Sequence, residues 1–170
     1  RASSSKTLNA SRAGIMRAAR DLGDYEAVAA AADALLSSST LGSEDKNEAV
    51  FSKALALSQT GNAADARELW SSIAGMTDDL YGAKSALFLA QSYFDDSMPD
   101  KARTAVEALT TSGTPHSYWL ARGFILLSDI YAAQGKKFEA REYLNALREN
   151  YPGSESDIFM MIDSRLSSLE

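Results

Sequence analysis

The sequence of 170 residues has no cysteine, a single histidine and only three prolines. Without cysteine there can be no disulfide, no thiolate nucleophile and no cysteine-based zinc site. With His116 alone, neither an HExxH motif nor a multi-histidine metal site can be assembled. No GxSxG, P-loop or GxGxxG pattern occurs. No metal, no cofactor and no catalytic activity are therefore expected. The longest apolar runs, such as Ala27 to Ala32, fall far short of the ~20 residues that cross a bilayer, so no membrane insertion by this segment is expected. Residues Arg1 to Lys6 are polar and serine-rich and lack an apolar signal-type core. With no initiator Met, the chain reads as a mature protein or as part of a longer one. Apolar residues almost never alternate with period two, which argues against strands.

Apolar residues make up 45% of the chain and charged residues 24%, the balance of a globular domain of ordinary size. The net charge of −6 is uneven. Arg1, Lys6, Arg12, Arg17 and Arg20 face only Asp21 in the first 21 residues, which leaves −10 for the remainder. Overall acidity argues against a nucleic-acid partner, and the basic start reads as a solvated helix face.

Four segments are alike: ARDLGDYEAVAAAADAL, LSQTGNAADARELWSSI, YFDDSMPDKARTAVEAL and YAAQGKKFEAREYLNAL. Each holds the end of one helix, a short turn and the start of another. The turn residues Gly23, Gly61, Ser97 and Gly135 are 38, 36 and 38 residues apart, a period that suits a two-helix unit. Apolar residues recur at helical steps, as in Val50, Ala54 and Leu57, or Phe124, Leu127 and Tyr131. Asn62 and Ser97 are candidate N-caps, Thr114-Pro115 a candidate helix start, and Ser154 with Asp157 the opening of a final helix. Two helices joined by a short turn cross closely only where small residues stand at the crossing. Ala54, Ala66, Ala90, Ala102, Ser128 and Ala140 are placed there, and Tyr93, Tyr131, Trp70 and Leu144 fill the space between hairpins. Ile158, Ile162, Leu166 and Leu169 form one stripe on a last, covering helix.

These residues resemble the tetratricopeptide repeat. The fourth repeat supplies Phe124, Leu127-Ser128, Tyr131, Gly135, Ala140, Leu144, Leu147 and Pro152. The third supplies Ala86, Leu89-Ala90, Tyr93, Ser97, Ala102 and Leu109, and the second Val50, Ala54, Leu57, Gly61, Ala66, Trp70 and Ile73. The first departs, because Gly23 to Ala27 is one residue short and Met16 stands where a small residue is usual. The resemblance implies an all-α, right-handed α-α superhelix, a tetratricopeptide-like solenoid of about four hairpins over residues 10–153. A flexible segment, 1–9, precedes it and a capping helix, 154–170, follows.

The resemblance further implies a protein-interaction scaffold whose first helices line a concave groove. Its register turns Glu48, Phe51, Leu55 and Gln59, then Lys84, Leu87, Gln91, Phe94 and Asp95, then Arg122, Ile125 and Asp129 toward that groove. The expected partner is another protein or peptide; self-association to a homo-oligomer stays open. The basic residues and asparagines of the family's chaperone-tail clamp are replaced by Phe51, Leu55 and Gln91, so that activity is not implied. The alternative is a helical accessory or sensor domain of a larger enzyme or regulatory protein. The acidic pairs Glu44-Asp45 and Asp78-Asp79 read as helix-start charges. Tyr118-Trp119 is the aromatic pair best placed for a partly exposed contact. The stretch ENYPGSES resembles repeat ends of bacterial cell-envelope tetratricopeptide proteins, which implies a periplasmic setting, with the cytoplasm as the alternative.

Overall fold

The computed structural model describes residues 2–169, and their side chains from Ser4. Among the described residues there are nine α-helices and no strand: α1 (Ala2–Leu22), α2 (Tyr25–Leu36), α3 (Ser43–Gln59), α4 (Ala63–Ile73), α5 (Leu80–Asp95), α6 (Pro99–Thr110), α7 (Ser117–Ala133), α8 (Lys137–Asn150) and α9 (Ser156–Ser168). The first eight pair into four hairpins. The chain divides into two compact units, Arg1–Ala74 and Gly75–Glu170, so each unit holds two hairpins and the second also holds α9.

The turn inside each hairpin is built the same way. Gly23, Gly61, Ser97 and Gly135 all have positive φ, between 59° and 88°. The residue after each donates its N–H back to a carbonyl five residues earlier: Asp24 to Ala19, Asn62 to Leu57, Met98 to Tyr93 and Lys136 to Tyr131, at 2.8–2.9 Å. This reversal satisfies carbonyls that the helix end leaves open, and it needs a left-handed residue at the turn. Glycine takes that conformation without strain, and Ser97 is the single residue in the set that must bear a side chain there. Ser97 therefore ends α5 and does not cap α6, whose N-cap is Met98. Asn62 holds the N-cap position of α4, but its side chain gives no capping bond. Its Nδ2 donates to Thr60 Oγ1 at 3.3 Å instead.

All six small residues expected at the hairpin crossings are buried. In the last hairpin the Ser128 hydroxyl also donates to the Ala140 carbonyl at 2.9 Å, so the crossing carries a hydrogen bond as well as close packing. Gly123 plays a related part between hairpins. A Cβ there would stand 3.2 Å from Leu109 Cδ2 and 3.3 Å from Thr110 Cγ2, so its absence lets α6 lie tight on α7.

In the first unit, Ala13, Met16 and Ala19 of α1 pack with Val28, Ala31, Ala32 and Leu35 of α2 and with Ala49 and Ala56 of α3. Met16, the departure from the repeat pattern, is fully buried in this core. Residues 2–9 belong to α1. Asn9 holds this end in place, donating from Nδ2 to Ser38 Oγ at 3.0 Å and to Thr40 Oγ1 at 3.3 Å. In the second unit, Ile158, Ile162 and Leu169 of the C-terminal segment pack against Ala121, Ile125, Ala140 and Leu144. The last helix thus covers the apolar side of the fourth hairpin.

Two helix starts differ from the sequence reading. Helix α7 opens at Ser117, and the Thr114 hydroxyl donates to the Thr77 carbonyl at 2.6 Å while accepting from the His116 N–H at 3.3 Å. His116 follows suit, its Nε2–H lying 3.0 Å from the Asp78 carbonyl, so these two residues tie the α6–α7 loop to the segment before α5. Helix α9 opens at Ser156 rather than after Ser154. Asp79 does cap α5 as an acidic residue should, its carboxylate accepting from the N–H groups of Tyr81 and Gly82.

Candidate interaction surface

The residues that the repeat register turned toward a groove are mostly engaged in holding the hairpins together. Phe51, Leu87 and Ile125 occupy equivalent positions in α3, α5 and α7, and all three are buried. Ile125 shows why: α9 lies over it, with Ile158 and Ile162 in the same cluster. The apolar side chain of Ile125 is thus used in packing α7 against the last helix.

The charged members of the set are paired. Glu48 is buried and receives Arg17 and Arg20 from α1; Arg17 Nε donates to both carboxylate oxygens at 2.9 and 3.1 Å. Arg20 reaches Glu48 at 3.3 Å and the Ser52 hydroxyl at 2.9 Å. The basic start of the chain is therefore in part an internal counter-charge. Asp129 accepts two bonds from Arg165 of α9, at 2.7 and 2.8 Å, the fork geometry that favours Arg on a carboxylate. Lys84 lies 5.1 Å from the ring centres of both Tyr81 and Trp119. Arg122 donates to the Tyr118 hydroxyl, which donates in turn to Asp157 at 2.6 Å. That bond to a carboxylate, together with burial, raises the Tyr118 pKa. The Tyr118-Trp119 pair thus braces α7 against α5 and α9. Gln91 and Asp95 are exposed and bonded to each other at 2.7 Å. Gln59 is exposed, and Leu55 and Phe94 are half-buried.

The apolar surface left open in the second unit is on the other side of α7, toward the second helices of the hairpins. Helices α6 and α8 both pack on α7, and a depression lined by all three lies between them. Beside it, between α7, α8 and the segment that follows α8, is a cavity of about 370 Å³, walled by Leu120, Phe124, Tyr143, Leu147, Tyr151 and Pro152 with Ala146 at its edge. The depression, of about 620 Å³, shares Phe124 and Tyr143 with that cavity and continues past Leu127 to Glu107 and Ala108 of α6. The dividing ring, Tyr143, stacks on Phe124 at 6.2 Å and on Tyr131 at 5.5 Å. Burial, and then the neighbouring Tyr131, push its pKa up. Tyr151 is raised further, by burial and by its hydroxyl bond to Glu155, whose own pKa is lowered by the same bond. The helical spacing of Tyr143 with Trp70, Tyr93 and Tyr131 favours core packing for it. Its half-exposed edge was not legible, because helical spacing alone does not say whether a neighbouring helix closes over it.

Among the described residues no cluster of acidic and histidine side chains stands close enough to hold a metal ion, and no helix is long and apolar enough to cross a membrane.

Repeated hairpins with small residues at each crossing and a left-handed turn at a fixed period define a helical-repeat protein. Sequence models of the tetratricopeptide repeat match residues 15–78 and 124–154. A solved structure, described as the crystal structure of MamA protein, superposes with a TM-score of 0.63 at 17% identity, over 95% of this chain and 85% of that one; at that identity the likeness is one of fold. No curated protein matches in sequence. The chain belongs to the tetratricopeptide-repeat-like proteins, a class that serves in general as protein-interaction scaffolds and is generally non-catalytic.

Proposed function

We propose that this chain is a non-catalytic scaffold that holds a short segment of a partner protein, and that the segment seats in the cleft between α6 and α8. The observation that supports this is the apolar wall itself. The adjoining cavity, at about 370 Å³, lies within the ~300–1,000 Å³ range of ligand clefts. The wall presents Leu120, Phe124, Leu147 and Tyr151 with few polar atoms. Glu107 is the one charged residue in the walls of the two depressions. The partner segment is therefore one with apolar or aromatic anchor side chains and a Lys or Arg directed at Glu107. On the face assigned to binding by repeat register, Phe51, Leu87 and Ile125 are buried, Leu55 and Phe94 are half-buried, and most of the charges are paired. The ENYPGSES resemblance makes a bacterial envelope the proposed setting.

Selection of random displayed peptides on the chain tests this. The expected peptides carry apolar or aromatic anchors beside a basic residue. Ala146→Arg and Ala108→Arg place a long side chain at two exposed helix positions on the cleft rim, where helix propensity is kept. Each should weaken the selected peptides roughly tenfold or more. Glu107→Lys should reverse the preference for a basic flank. Peptides that bind both Arg variants as tightly as the parent chain would overturn the assignment.

A further inference from the structure

Tyr151 forms one wall of the 370 Å³ cavity, and three neighbouring residues decide where its ring stands. Pro152 is the first. A residue before proline is pushed out of the helical region, and Tyr151 is extended, with φ −65° and ψ 119°, so α8 ends at Asn150. Gly153 is the second. A Cβ there would stand 2.5 Å from both Cζ and the hydroxyl oxygen of Tyr151, well inside van der Waals contact, and would also collide with the Glu155 carboxylate. The φ of Gly153 is not positive, so glycine supplies space at this point and not a special backbone conformation. The space is filled by a side-chain bond to the third residue: the Tyr151 hydroxyl donates to Glu155 Oε2 at 2.6 Å. Phe159 of α9 meets the same ring edge to face, with centroids 5.8 Å apart.

We infer that Gly153 and Glu155 are positioning residues for partner binding: they hold the Tyr151 ring as a fixed wall and so set which apolar anchor the cavity takes. The inference rests on the cleft reading above and adds residues that do not themselves line the cavity. Glu155 stands at the N-cap position of α9, where a carboxylate ordinarily accepts a backbone N–H of the first turn. Its side chain gives no such bond and is turned to Tyr151 instead. The covering of the fourth hairpin does not need that arrangement, since Ile158 and Ile162 provide it from within α9. The bond also has a chemical consequence for the cavity. A tyrosine has one hydroxyl proton, and here it is engaged by an exposed residue outside the cavity. The ring has no donor left for an acceptor on the partner, so it offers an apolar surface to an apolar anchor. A wall held at its tip is fixed before the partner arrives, and fixing a site in its bound shape raises affinity by lowering the cost of ordering it.

Two measurements on the whole chain test this. Ultraviolet titration reads the ring itself: the phenol missing in Tyr151→Phe should ionise earlier in Glu155→Ala and in Gly153→Ala than in the parent chain. Binding of the displayed peptides selected on the parent chain reads the function. Gly153→Ala and Glu155→Ala should each weaken those peptides roughly tenfold and change the anchor size preferred, with helical circular dichroism and the preference for a basic flank unchanged. A merely destabilised chain would lose both preferences alike. Glu155→Gln keeps an acceptor for the hydroxyl and should bind as the parent does. In a Tyr151→Leu background Gly153→Ala should have no further effect, because the ring that it displaces is gone. Parent-like affinity and anchor preference in Gly153→Ala and Glu155→Ala, with Ala146→Arg still weakening the same peptides, would overturn the inference and leave the cleft standing. An effect of Gly153→Ala as large without the ring as with it would also overturn it. If neither Ala146→Arg nor Ala108→Arg weakens the peptides, the cleft reading fails and this inference fails with it.

Discussion

Glu48 is the residue whose replacement tests the reading of the first unit most sharply. Its side chain is 4% exposed, whereas Arg20 is 20% exposed and Arg17 is 49% exposed. The carboxylate is thus desolvated and the two guanidinium groups progressively less so. Glu48→Gln keeps the shape but removes the charge that Arg17 and Arg20 meet. A hydrogen bond to a charged group contributes ~1.5–3 kcal/mol. The Arg17 contact is discounted to ~0–1 kcal/mol because half of that side chain is in water. The loss expected for Glu48→Gln is then about 2–3 kcal/mol, most of it through Arg20. In a chain of this length each kcal/mol moves the melting temperature by ~2–4 °C, so a fall of about 5–10 °C is expected. Arg20→Gln should come close to that value, and Arg17→Gln should cost about 1 kcal/mol or less. Thermal unfolding followed by circular dichroism measures all three, and the double variant Glu48→Gln with Arg20→Gln isolates the coupling. High salt should shrink the Arg17 effect and leave the Glu48 effect largely intact. A Glu48→Gln change within ~0.5 kcal/mol of the parent, the range of ordinary surface substitutions, would refute the reasoning. So would Arg17 costing as much as Arg20.

Ala140→Leu should overpack the crossing at which Ser128 meets the Ala140 carbonyl, costing ~1–3 kcal/mol in chemical denaturation; a neutral result would mean that α7 and α8 do not cross there. Tyr118, Tyr143 and Tyr151 have raised pKa values, so ultraviolet titration should show them ionising later than the usual value of about 10. Their neutral forms are favoured by the fold. The stability they contribute is therefore fully present below about pH 10 and declines as pH rises through their folded values. Tyr151→Phe should make that alkaline decline shallower, and an unchanged slope would dissociate Tyr151 from it.

Local chemistry and period carried much of the architecture. Four turns at a near-constant spacing place four left-handed residues, and a small residue on each side of a turn is what a close helix crossing demands. Those constraints act within about 40 residues of chain, so they are written out in order and can be read without coordinates. The covering stripe of Ile158 and Ile162 was legible for the same reason, since an amphipathic helix repeats its apolar face at a fixed angle. Which face of a first helix meets water is a different kind of fact. Phe51, Leu87 and Ile125 fall at positions that repeat register turns outward, yet they are buried, and Ile125 is buried by a helix some 30 residues further on. Conversely, the stripe Leu8, Ile15 and Leu22 has the spacing of a packed face, and only the arrangement of α2 and α3 leaves it open. Glu48 accepts Arg17 and Arg20 because α1 lies against α3; no spacing in the sequence pairs them. Periodicity determines which residues share a face of a helix. Tertiary packing decides which faces are covered, because covering depends on the neighbour's position and not on the helix itself.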